Sequence, residues 1–142
     1  MKAANTLQVI SLLAMLVLAS CRTAFVPVKN NEMLIRISEI EIHRDSLSAY
    51  KTILDEEAEA SLRLEPGVIS IFPMYQQKDS TQIRILEIYA NMEAYQSHIK
   101  SPHFLKYKTT TLSMVKSLQL IDMIAIDPAT MKKIFRKLKK VD

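Results

Sequence analysis

The sequence predicts one α+β domain whose elements run β-α-β-β-α-β, and three observations lead there. Four short segments carry the period-two patterning of strands. Two stretches between them repeat apolar residues every three to four positions, as helices do. Glu65-Pro66-Gly67, Ser101-Pro102 and Asp127-Pro128 mark joints between these patterns. The chain has 142 residues, of which 49% are apolar, enough for one packed core and too apolar for wholesale disorder.

The elements follow in order. Lys2 precedes an almost unbroken apolar run from Leu7 to Ala19. That run is shorter than the roughly 20 residues that span a bilayer and has the length of a signal-peptide core. Leu18-Ala19-Ser20-Cys21 then resembles a bacterial lipobox. The resemblance implies a signal peptide over 1–20 and a lipid on the Cys21 thiol. Cys21 is the one cysteine, so no disulfide within the chain is possible. Arg22 follows it, not an Asp, which leans toward the outer membrane. Residues 21–32 read as a tether, in which the eleven residues after Cys21 reach at most roughly 35–40 Å.

The domain itself is expected over 33–127. Met33 to Ile42 reads as a strand with apolar residues in both alternating sets, hence covered on both faces. Asp45 is the expected cap of a helix over 46–64 with the stripe Leu47, Tyr50, Leu54, Ala58 and Leu62. The acidic residues Asp55, Glu56, Glu57 and Glu59 lie mostly off that stripe. Gly67 is available for a left-handed or turn conformation. Val68 to Tyr75 is the second strand, with Pro73 suggesting an edge or bulge. A polar loop over 76–81 leads to a third strand over 82–90. Asn91 caps a helix over 92–100, Ser101-Pro102 restarts a helix to about 116, and Leu118 to Ile126 is the fourth strand. This order is the ferredoxin-like, split βαβ arrangement. Because the strands are apolar on both sides, a second copy packed sheet to sheet is the expected cover, and the alternative is the tail helix.

The tail, 128–142, starts at Asp127-Pro128 and puts Met131, Ile134, Phe135, Leu138 and Val141 on one helical face. Its six basic side chains stand against Asp142, a net +5, whereas 21–127 holds 12 basic and 14 acidic residues, a net −2. The overall +4 is therefore local, which argues against nucleic acid as a partner. Such a helix docks on the sheet or a partner copy, the commoner fate, or lies on an anionic lipid surface. A single Gly leaves no phosphate-binding glycine loop.

Candidate functional residues concentrate between Glu87 and Phe104. In the third strand Ile83, Ile85, Glu87 and Tyr89 share one side, so a carboxylate sits on an apolar face. It must pair, with Arg36 or Lys106 in reach, or titrate high and serve as a base. His98 and His103 are five apart across Ser-Pro, with no carboxylate at ligand spacing, so no metal is expected. Their structural alternative is to cap the following helix or to bond a carbonyl. Tyr50, Tyr75, Tyr95, Tyr107, Phe72 and Phe104 are candidates to line an apolar pocket, or ordinary core.

Glu87, Tyr89, Ala94-Tyr95, His98, Ser101, His103 and Phe104 together resemble the signature of the antibiotic biosynthesis monooxygenase domain family, in its quinol monooxygenase branch. Tyr89 stands where many relatives carry Trp. The resemblance implies a dimeric α+β barrel and oxidation of a hydroquinone or similar aromatic by O2 without metal or flavin cofactor. It gives Glu87, His98 and His103 to catalysis, and Tyr89, Tyr95, Phe104 and Phe72 to substrate binding. With the lipobox it places a homodimer on a bacterial envelope, facing the periplasm. Heme degradation, another branch, lacks its axial histidine here. The reading of a different class is a non-catalytic binding or stress module using the same cleft.

Overall fold

The structure is a computed structural model, and it describes residues 32–139. The signal segment, Cys21 and most of the tether lie outside the described residues. Period-two patterning produces four strands: β1 (Leu34–Ile42), β2 (Val68–Gln76), β3 (Asp79–Tyr89) and β4 (Val115–Met123). The helices are α1 (Leu47–Leu64), α2 (Met92–His98), α3 (Pro102–Thr111) and α4 (Ala129–Leu138). The strands form one antiparallel sheet in the order β2-β3-β1-β4. This is the expected α+β ferredoxin-like fold with an extra C-terminal helix. Pro73 lies on the edge strand β2, the place in a sheet where proline is tolerated.

One face of the sheet meets α1 and α3. Ile40, Ile42, Ile71, Ile83, Ile85 and Tyr89 from the strands bury against Tyr50, Leu54 and Ala58 of α1. The opposite face carries Ile35, Ile37, Leu86, Ile121 and Met123 by alternation and register, with Phe72 57% and Met74 39% exposed. The tail helix does not cover it. No residue of α4 is buried, and Ile134, Phe135 and Leu138 remain 48%, 43% and 58% exposed. No helix among the described residues is long and apolar enough to cross a membrane.

Several local expectations shift. Asp45 does not cap α1, because a 3-10 turn over Arg44–Ser46 leads into it with no side-chain cap. The hairpin loop shrinks to Gln77 and Lys78, since strand pairing continues to Gln76 opposite Asp79. The last strand runs three residues earlier than its apolar pattern suggests. Its pairing begins at Val115 opposite Ile42, and Met123 already reaches Ile35 near the start of β1. Beyond that point Ile124 and Ile126 have no strand to join. The same capture of Val115 ends α3 at Thr111, through a 3-10 turn over Leu112–Met114.

Gly67 shows no left-handed backbone. A Cβ there would stand 2.5 Å from the Ala94 Cβ, so its role is close approach. Asn91 and Ser101 cap as expected, accepting from the backbone N–H groups of Ala94 and Phe104. Asp127 likewise accepts from the Ala129 N–H at 2.9 Å.

Candidate active site

Alternation along β1 and β3 aims Arg36, Ser38, Glu87 and Tyr89 at the helical layer. The helices do not close over them completely, and a cavity of about 490 Å³ remains between the sheet and α3. That is the size of a small-molecule site. Ile40, Ile71, Ile85, Leu118 and Leu120 give it apolar walls. Tyr95, Phe104 and Tyr107 contribute rings, and Glu57, Glu87 and His98 contribute ionisable groups.

Glu87 pairs with neither Arg36 nor Lys106. Ser38 Oγ donates to one carboxylate oxygen and Tyr89 Oη to the other at 2.9 Å. Arg36 Nε instead donates to Asp122 at 2.7 Å, and its guanidinium lies 4.7 Å from the Tyr95 ring centre. Burial is the largest single influence on the Arg36 pKa and lowers it, but Asp122 and Tyr95 together, by hydrogen bonding and charge, outweigh it and raise the pKa, keeping a cation at the rim. Tyr89 is fully buried, and burial, reinforced by the Glu87 charge, pushes its hydroxyl well above the ordinary tyrosine value. Tyr50 and Tyr107 share a hydrogen bond of 2.6 Å. Burial pushes Tyr50 up to about 12, against the opposing bond to Tyr107, and pushes Tyr107 higher still.

The two histidines meet across the Ser-Pro break because both turn toward Glu65. His98 Nδ1 lies 2.9 Å and His103 Nε2 2.6 Å from the same Glu65 oxygen. The other His98 nitrogen faces Glu57 at 3.7 Å. Glu57 is buried, accepting from Ser61 Oγ at 2.7 Å. The spacing argument against a metal is thus overtaken, since the fold supplies two carboxylates from α1 and its end. Ligand atoms of Glu57, His98 and His103 lie within 4.8 Å of one another, which is where a cation would sit. The cluster is nonetheless closed by its own hydrogen bonds, and no buried side-chain N or O atom among the described residues lacks a partner.

The structure therefore brings Glu87, His98, Tyr89, Tyr95 and Phe104 to one cavity. It does not bring His103, which sits behind His98 on Glu65. Phe72 is also excluded: it pairs with Leu86 in register and faces the other side of the sheet. The sequence reading missed Arg36, Ser38, Glu57 and Glu65. Arg36 and Ser38 carried a usable signal, being polar members of the set that includes Leu34, Ile40 and Ile42. Glu57 carried none, because the buried arc of α1 turns to Leu54, Glu57, Ala58 and Ser61 and leaves Leu62 49% exposed.

Comparison with known proteins agrees with this fold. The sequence model of the antibiotic biosynthesis monooxygenase family matches residues 33–110. A candidate antibiotic biosynthesis monooxygenase from Bacteroides thetaiotaomicron is 43% identical over 70% of this chain and 95% of its own, with a TM-score of 0.68. A candidate monooxygenase from Lactobacillus acidophilus is 26% identical over 68% of this chain and 46% of its own, with a TM-score of 0.64. A protein of Nitrosomonas europaea, 20% identical over 71% of this chain and 96% of its own, shares the fold with a TM-score of 0.65. No curated protein matches.

Proposed function

Because the chain belongs to the antibiotic biosynthesis monooxygenase family, we propose that it oxidises a hydroquinone or similar electron-rich phenol with O2 in the cavity beside Glu87. The observation that carries this reading is the Glu87 carboxylate, held by two hydroxyl donors in a largely apolar pocket. Ser38 and Tyr89 orient it and leave each oxygen a further lone pair for the substrate hydroxyl. A phenolic proton comes off near pH 10 in water, so a base at hydrogen-bond distance and a nearby cation are what the reaction needs. Glu87 takes the proton, and Arg36 offers positive potential to the phenolate. Tyr95, Phe104 and Tyr107 pack on the ring. His98, held between Glu65 and Glu57, lines the pocket beside Phe104 and helps to position the ring.

The phenolate then supplies electrons to O2. One oxygen atom bonds to the ring and the other leaves as water, so a hydroquinone becomes a hydroxyquinone and the substrate provides every electron. The enzyme works at the bacterial envelope, facing the periplasm and held by a lipid on Cys21. The apolar run and Leu-Ala-Ser-Cys support this anchoring.

The test is oxygen uptake against a panel of quinols. Glu87→Gln keeps shape and hydrogen bonding but loses basicity, and turnover should fall by roughly 10²–10⁴-fold with substrate affinity little changed. Near-normal turnover would remove Glu87 from the mechanism. Absence of quinol-dependent uptake by the wild type would leave the cleft as a binding site.

A further inference from the structure

We infer that α4 is a surface-binding helix that lies on an anionic lipid membrane, beside the point where the N-terminal segment leaves the domain. Three observations meet in it. The first is topological. Ile35, one residue into β1, pairs with Met123, the last residue of β4. The chain entering from the N-terminal segment and the chain leaving toward α4 are therefore neighbours at one end of the sheet. A membrane that holds the first is within reach of the second.

The second observation is the unpartnered stripe. Ile134, Phe135 and Leu138 are exposed at 48%, 43% and 58%, and the approach through Ile124 and Ile126 is fully open at 94% and 105%. The family match ends at residue 110, so α4 lies outside what the family model describes. The third is charge. Lys132, Lys133, Arg136, Lys137 and Lys139 crowd the helix, and residues 129–139 contain no acidic side chain. Lysine is depleted from protein interfaces, where burying it is costly. Long lysine stems beside a narrow apolar stripe suit lipid, with the side chains reaching to headgroup phosphates. The fit is to an anionic lipid surface.

The proximity argument rests on the proposed N-terminal anchor, but lipid binding by α4 does not, and the experiment separates them. The chain from Arg22 onward retains every element from β1. The Bacteroides relative, 95% of whose chain is matched, shows that the fold stands without a leader. Its unlipidated form is sedimented with vesicles of phosphatidylcholine alone, or with about a third phosphatidylglycerol. Wild type should partition at least roughly tenfold more onto the anionic vesicles. Lys132→Gln, Lys133→Gln and Lys137→Gln combined should lose about tenfold or more, and so should Phe135→Ser. Neither variant should change the melting temperature, because no residue of α4 is buried. Equal partitioning of wild type and both variants overturns the proposal. So does a dimer that Phe135→Ser alone dissociates, which would assign the stripe to a second copy. Fatty-acid labelling of the full chain, lost in Cys21→Ser, tests the anchor independently; its failure would remove the anchor and leave the vesicle result standing.

Discussion

Burial pushes the Glu57 carboxyl above its ordinary 4.5, against the opposing Ser61 hydroxyl and His98. A carboxyl whose folded pKa is raised stabilises the fold fully only below its unfolded pKa. That contribution is lost as pH rises through the folded value. Glu57→Gln keeps an acceptor for Ser61 and removes the charge. The variant should melt with the wild type near pH 4 and a few degrees above it at pH 7, the gap opening as pH passes about 4.5. Thermal melts across that range check it. A variant less stable at pH 7 would mean that the Glu57–His98 ion pair outweighs the cost of burial. Glu87, by contrast, was legible in the sequence as a carboxylate on an apolar strand face. Its pairing with Ser38 was not, because Ser38 is marked only as a polar member of an apolar set, and that β1 lies beside Glu87 is decided by strand register.

At the scale of elements, the joint between α1 and β2 sets the histidine cluster. Glu65 closes α1 by donating its N–H to the Ser61 carbonyl at 3.1 Å, which turns its side chain to His98 and His103. Gly67 then passes so close to α2 that only a hydrogen fits against Ala94. Its carbonyl also accepts from the Ala90 N–H at 2.8 Å. Gly67→Ala should therefore force α2 outward, costing about 1–3 kcal/mol, the usual range for overpacking. The melting temperature should fall by several degrees, and the His98–Glu65 geometry should loosen with it. A melting temperature unchanged in that variant would show that α2 shifts freely. The sequence suggests a turn at Gly67, but the reason for the glycine is a contact with residue 94.

For the whole molecule, the open face of the sheet is the unfinished surface. Ile35, Ile37, Leu86, Phe72, Met74, Ile121 and Met123 would leave it apolar in water, and α4 does not cover it. A second copy, sheet to sheet, is the expected cover, and it would place Phe72 in an interface, not a pocket. Light scattering of the chain from Arg22 onward should give twice the chain mass. Phe72→Glu should convert it to a monomer while preserving the helical signal, since a charge buried unpaired in such an interface is costly. A monomeric wild type at micromolar concentration would refute the dimer.

Patterning along the chain determined how many strands and helices there are and roughly where each falls, and the βαββαβ order followed from it. It determined the caps at Asn91 and Ser101 and the basic amphipathic tail, because these depend on neighbours within four residues. The ends of β4 and α3 were decided by β1, whose length limits what can pair. The face of α1 that is buried was decided by where α3 crosses it, which moved Glu57 inside and Leu62 out. The sorting of His98 into the cavity and His103 behind it, and of Phe72 to the far side of the sheet, was likewise tertiary. Each depends on the direction of a side chain relative to an element distant in sequence. Period and composition carry no information about that direction.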